Sequence, residues 1–185
     1  MHIQKTSNRI MCNIRYFTGV TFIATLTVAV LLGGMPGAAW AEDDPAIWKM
    51  QVKDNYAALL EDVKTGLEAE QFSILSESNL AGALAMNRDV LGKDKWNTIG
   101  FDEARAVTFC SLVFNQEVLN LDMDYSILCP FKIVLYSMKS EPEVVTILMV
   151  RPTYLLAHHK DPGAQEIGQK IEDRIVKAIT GAVNR

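Results

Sequence analysis

Cys110 and Cys129 are the residues whose type and placement most invite chemistry in this chain. Both lie in the stretch from 104 to 136, ARAVTFCSLVFNQEVLNLDMDYSILCPFKIVLY. Cys110 ends an apolar run and precedes Ser111, an N-cap residue type, so it sits just ahead of a helix N-terminus. The partial positive charge there favours a thiolate, the form needed for redox work or for binding a soft metal. The bland alternative is a buried structural cysteine, since cysteine is among the most buried residue types, and that is the expectation for Cys110. The two cysteines could also pair. Against pairing, an intervening helix of about ten residues carries the chain about 15 Å, while a disulfide needs Cα atoms within about 7 Å. The expectation is that the helix separates the two sulfurs, with the disulfide as the alternative. Pro130 follows Cys129 and cannot donate a ladder hydrogen bond, so it marks a strand start, a bulge or an edge.

Other constellations are weaker. His158-His159 with Asp161, together with Met86, Met123, Met138 and Met149, offers soft ligands that would suit copper. Adjacent histidines rarely address one ion from a regular element, and Met138 and Met149 lie in apolar runs where methionine fills gaps. Asp102-Glu103 and Asp122-x-Asp124 are paired carboxylates of the kind a glycosidase needs, but such pairs more often mark turns or solvated helix ends. There is no G-x-S-x-G and no glycine-rich phosphate loop after a strand. No catalytic residue, metal ligand or cofactor is assigned from the sequence.

The elements that must position these residues follow from periodicity. Ile47 to Lys53 alternates, with Trp48, Met50 and Val52 on one face, and reads as a half-buried strand. Asp54 is placed to cap a helix whose stripe is Tyr56, Leu59, Leu60, Val63 and Leu67, with Gly66 weakening its last turn. Phe72 to Ser76 is a short strand expected beside the first. Asn79 to Gly100 is hard to read beyond a short helix around Leu80 and Leu84 and a polar turn from Gly92 to Lys95. Ala104 to Phe109 is a strand, and Phe114, Val118 and Leu121 stripe the helix after Ser111. Phe131 to Met138 and Val144 to Val150 form a hairpin that Arg151-Pro152 ends, and the strand after Pro130 is expected at an edge open to pairing. Asp161 caps a last helix with Pro162 at its first position and Ile167, Ile171, Ile175 and Ile179 on one face. Glu166 with Lys170 and Asp173 with Lys177 are expected i,i+4 pairs. The order predicts an α+β domain, a two-layer sandwich of mostly antiparallel sheet with helices on one face and a C-terminal helix.

The first 41 residues differ from the rest. Lys5, Arg9 and Arg15 precede an uncharged apolar run, Gly33 to Gly37 breaks it, and Ala39-Trp40-Ala41 has the small residues of a signal-peptidase site. The expectation is a secretory signal peptide at 1–41, cleaved between Ala41 and Glu42, and a periplasmic or extracellular domain at 42–185. The alternative is an uncleaved anchor that leaves the domain facing outside. Removing the leader from 185 residues leaves 144, enough for one core. It also leaves 15 basic residues against 22 acidic ones, net −7, so nucleic acid and anionic lipid surfaces are unfavoured partners.

Four local patterns together resemble the domain of unknown function 302 family. That family has a helix ending in Gly-Phe, a Cys-Asn-Pro opening a helix, a Leu-Pro-Cys before a Val-rich strand, and a residue-Pro step after the hairpin. Here Gln71-Phe72 stands at the first place with Gln71 for the glycine, Cys110-Ser111-Leu112 at the second, Leu128-Cys129-Pro130-Phe131 at the third and Arg151-Pro152 at the fourth. Cys129 falls before the proline instead of after it. The resemblance, over roughly Val52 to Pro152, implies an α+β fold that is often dimeric and implies no reaction. The expected function is an exported, non-enzymatic domain that binds a small apolar ligand or a protein partner as a homodimer. The alternatives are a thiol-dependent redox protein using Cys110 and a copper carrier. Cys110, Cys129 and Pro130 are the candidate functional residues.

Overall fold

A computed structural model describes residues 44–185. The expected leader and its cleavage point at Ala41 and Glu42 lie outside the described residues. In chain order the elements are β1 (Ile47–Lys53), α1 (Tyr56–Ala69), β2 (Ser73–Asn79), α2 (Leu80–Met86), α3 (Arg88–Leu91), β3 (Phe101–Cys110) and α4 (Leu112–Leu121). A 3-10 turn (Met123–Leu128), β4 (Phe131–Met138), β5 (Glu141–Val150), α5 (Pro152–Leu156) and α6 (Gly163–Val183) complete the chain. Among the described residues no helix is long and apolar enough to cross a membrane.

The five strands form one sheet in the order β1-β5-β4-β3-β2, antiparallel at every pairing. The α+β expectation stands. Two placements differ from the sequence reading. β2 lies at the edge opposite β1, not beside it, because α1 carries the chain across the sheet. β4 lies at the centre between β3 and β5, so the strand after Pro130 is not an open edge. Its composition agrees with the centre: Phe131, Ile133 and Leu135 are buried on one face and Val134 and Tyr136 are half-buried on the other.

The core lies between one sheet face and the helices. Val107, Phe109, Ile133, Leu135, Val145 and Ile147 meet Leu59, Val63 and Leu67 of α1 and Ile171, Ile175 and Ile179 of α6, all essentially sealed from solvent. A fully buried aliphatic side chain stabilises by roughly 1.5–3 kcal/mol, so this cluster supplies most of the driving force. Gly66 does more than weaken α1. A Cβ there would stand 2.6 Å from the Ala178 carbonyl oxygen, so the glycine lets α1 and α6 approach closely. Tyr56 anchors α1 to the sheet, its hydroxyl donating to the Leu135 carbonyl at 2.9 Å, and burial holds the phenol well above its ordinary pKa. α2 lies against the other sheet face, where Leu80 and Leu84 join Ala104, Val134, Tyr136 and Met138 around an apolar hollow of about 400 Å³.

Local chemistry sets the helix ends. Asn55, one residue past the expected Asp54, caps α1 by accepting from the Ala58 N–H at 3.0 Å. At the other end the Phe72 N–H donates to the Leu67 carbonyl and the Gln71 N–H to the Glu68 carbonyl, both at 3.0 Å. That is a Schellman motif, and it puts Gln71 in the left-handed region at φ +64°. The position where the resembling family carries glycine is thus the one whose backbone favours glycine. Glu166 and Lys170 pair at 2.9 Å as expected. Lys177 instead reaches Glu70, the C-cap of α1, at 2.6 Å, and Asp173 accepts from Gln169 at 2.7 Å.

Candidate functional site

An apolar cleft opens where β4 begins. The β4–β5 ladder starts at Ile133 and Met149, while Val150 pairs with Ile47 of β1 instead. Phe131 and Lys132 therefore have no partner on β5, and the sheet splays. The resulting cleft has a volume of about 440 Å³. Phe109, Phe131, Met149 and Ile175 line it from the core side, and Val134 and Leu148 from the outer sheet face. Ile127, Leu128 and Pro130 form one wall, Leu155 of α5 and Val150 another, and among the described residues Lys132 is the one charged residue lining it. Its volume falls within the range of small-molecule pockets. Phe109 and Phe131 belong to an aromatic cluster with Phe72, which meets Phe109 edge-on at a centroid distance of 5.2 Å. Such pairs give a stiff floor. Ile127 is 84% exposed, a large apolar side chain at the rim with no protein cover.

The candidate residues converge on this place, but not as separated groups. Cys110 and Cys129 form a disulfide, with Cα atoms 5.9 Å apart. The expectation of a free, structural Cys110 distant from Cys129 is corrected. Its error was to let the helix set the separation. β3 and β4 are antiparallel neighbours with Phe109 opposite Phe131, so the link between them must start and finish at the same sheet end. α4 carries the chain out, and the 3-10 turn brings it back. The reading of Cys110 as a free helix-end thiolate falls with it. Pro130 does mark a strand start, after a cis peptide bond. Ser111 stands at the N-cap of α4 as expected, but its side chain makes no capping bond.

The other sequence candidates take structural positions. His159 Nδ1 accepts the Asp161 N–H at 2.9 Å, Nε2 faces Asp122 at 3.8 Å, and the ring meets Tyr125 edge-on at 4.8 Å. The imidazole thereby ties the 3-10 turn to the loop before α6. Asp122 also accepts the Asp124 N–H at 2.9 Å, and so marks a turn, whereas Asp102-Glu103 lies in β3. Met149 is in the core and Met138 is on the opposite face. Asp161 Oδ1 accepts the Gly163 N–H at 2.8 Å, and α6 starts one residue later than expected.

Sequence reasoning missed α5 and the network beneath it. Pro152 opens α5, and buried Glu172 of α6 accepts from the Arg151 guanidinium, the Thr153 hydroxyl and, at 3.3 Å, the Thr153 N–H. The Arg151-Pro152 step thus fixes α5, which supplies Leu155 to the cleft wall. In the sequence Glu172 reads as part of the charged run Glu172-Asp173-Arg174 between Ile171 and Ile175, so its burial was not signalled.

Comparison with known proteins gives a fold and a family. No curated protein matches the sequence. The crystal structure of an uncharacterized conserved DUF302 protein from Bacillus stearothermophilus superposes with a TM-score of 0.62 at 20% identity. The match covers 74% of this chain and 98% of that one, and at this identity it shows the fold alone. The family model "Domain of unknown function DUF302" matches residues 48–182, a wider span than the four local patterns. This chain belongs to the DUF302 family.

Proposed function

We propose that this is an exported, non-enzymatic binding domain that holds a small apolar ligand in the cleft behind Pro130. The observation that carries the reading is the cleft itself: apolar walls, a volume suited to a small molecule, and uncovered apolar side chains at its mouth. Lys132, the lining cation, favours a ligand with an anionic end. The leader features at 1–41 support export. The test is a fluorescence titration of the full chain with two apolar probes, neutral N-phenyl-1-naphthylamine and anionic 1-anilinonaphthalene-8-sulfonate. Both should bind saturably, the anion more tightly. Ile127→Asp should weaken both by roughly tenfold or more, because it places a charge at an apolar mouth. Absence of saturable binding refutes the reading.

The homodimer part of the proposal rests on a different surface from the one expected. β4 and β5 both have partners on each side, so the hairpin offers no edge. The outer sheet face does remain half-open, with Val134, Tyr136, Leu148 and Met138 half-buried and Ile99 exposed beside them. A second copy seated there would cover them. Light scattering should report a dimer that Tyr136→Lys dissociates; a monomer at micromolar concentration removes this part.

A further inference from the structure

We infer that the Cys110–Cys129 disulfide is a redox gate on the cleft; the inference rests on the cleft being the ligand site. Three lining residues are sequence neighbours of the two cysteines: Phe109 precedes Cys110, and Leu128 and Pro130 flank Cys129. The two sides are held differently. Phe109 is fixed in the sheet opposite Phe131 and is wholly buried. The wall from Ile127 to Pro130 precedes the first ladder pair, and among the described residues the hydrogen bonds of 126–130 stay within the turn, such as Cys129 N–H to the Ser126 carbonyl at 3.2 Å. Leu128 packs inward, while Ile127 and Pro130 are exposed. The disulfide is therefore the covalent tie between a wall that lies outside the strand ladder and one held within it. Both cysteines are half-buried, which leaves the bond within reach of a small thiol.

The chemistry is thiol–disulfide exchange with an external dithiol. A thiolate of the dithiol attacks one sulfur, the protein S–S bond breaks, and a mixed disulfide forms. The second thiol then displaces the protein sulfur and closes the reductant into its own disulfide. Two electrons and two protons pass to the protein, leaving Cys110 and Cys129 as thiols. The β3–β4 ladder does not depend on the bond, so the fold persists while the wall loosens and the cleft loses its shape.

The test measures N-phenyl-1-naphthylamine affinity for the full chain oxidised, reduced with dithiothreitol, and reoxidised, with near-ultraviolet circular dichroism and thiol titration on each sample. Reduction should raise the thiol count by two, keep the aromatic dichroism and weaken the probe by roughly fivefold or more, about 1 kcal/mol by the affinity relation, and reoxidation should restore it. Cys110→Ser/Cys129→Ser should bind like the reduced protein. Equal affinity in both redox states, or tight binding by the double variant, overturns the gate and leaves the cleft reading standing. Loss of the aromatic dichroism on reduction also overturns it, because the bond then holds the fold and not the wall. No probe binding in any state removes the cleft reading and the gate together.

Discussion

Gln71 carries a cost that the structure makes measurable. It is the residue after the α1 C-cap, at φ +64°, and the flanking Schellman hydrogen bonds leave the chain no other conformation there. A side chain in the left-handed region costs roughly 1–2 kcal/mol, because its Cβ crowds the following carbonyl. Replacing Gln71 by glycine removes that cost but frees the unfolded chain, which returns roughly 0.5–1 kcal/mol. Among the described residues, the side-chain interaction lost is an exposed 3.4 Å contact from Arg174 to Gln71 Oε1, which contributes little. Gln71→Gly should therefore stabilise the domain by about 0.5–1 kcal/mol, a rise in Tm of roughly 2–3 °C for a domain of this size. Urea unfolding at constant m-value is the assay. Gln71→Ala keeps a Cβ and should gain nothing. A destabilised glycine variant, or an alanine variant that gains as much, would refute the assignment of backbone strain to this residue.

Other perturbations test the supports of the cleft. Glu172→Ala leaves the half-exposed Arg151 guanidinium and the Thr153 groups without their acceptor and should cost about 2–3 kcal/mol, with Glu172→Gln milder; equal losses from both would mean that charge, not hydrogen bonding, dominates. Cys110→Ser/Cys129→Ser releases a loop with a sequence separation of 19 and should lower stability by about 3 kcal/mol on the chain-entropy relation, leaving the fold intact at 25 °C by circular dichroism. Glu77 is the pH-sensitive carboxylate of the β2 edge. The Lys64 ammonium, at 2.9 Å, and then Arg105 hold its pKa below the ordinary value of 4.5. A depressed folded pKa means stability that is present above pH 4.5 and lost as the pH falls through the folded value. The gap in Tm between wild type and Glu77→Gln should therefore be present at neutral pH and close in acid; a gap that widens in acid would reverse the sign.

What the sequence made legible was set by how local each signal is. The isoleucine stripe of α6 and the alternation of β1 are periodic over their whole length, and β1 forms where it was expected and α6 within one residue of it. The Gly-Phe position was visible as a pattern, and its reason, a left-handed C′ residue, needed only local backbone. Strand neighbours were not legible in the same way. β2 was placed beside β1 on chain proximity, yet α1 crosses the sheet, and no residue in β2 records that. The disulfide failed for the same reason: the ten-residue α4 was visible, but the 3-10 turn that doubles back after it has no periodicity to announce it. The cleft was the least legible feature, because it exists only where the β4–β5 ladder stops short and residues from β3, β4, β5, α5 and α6 meet. Pro130 pointed to its edge, and nothing in the chain order pointed to Leu155 or Ile175.

Methyl NMR of the full chain, titrated with N-phenyl-1-naphthylamine, tests the central claim most directly. The cleft reading expects saturable shifts at Ile127, Leu128, Leu148 and Leu155, with Leu80 and Leu84, which line the separate hollow under α2, unmoved. Shifts centred on Leu80 and Leu84, or none at all, would contradict it.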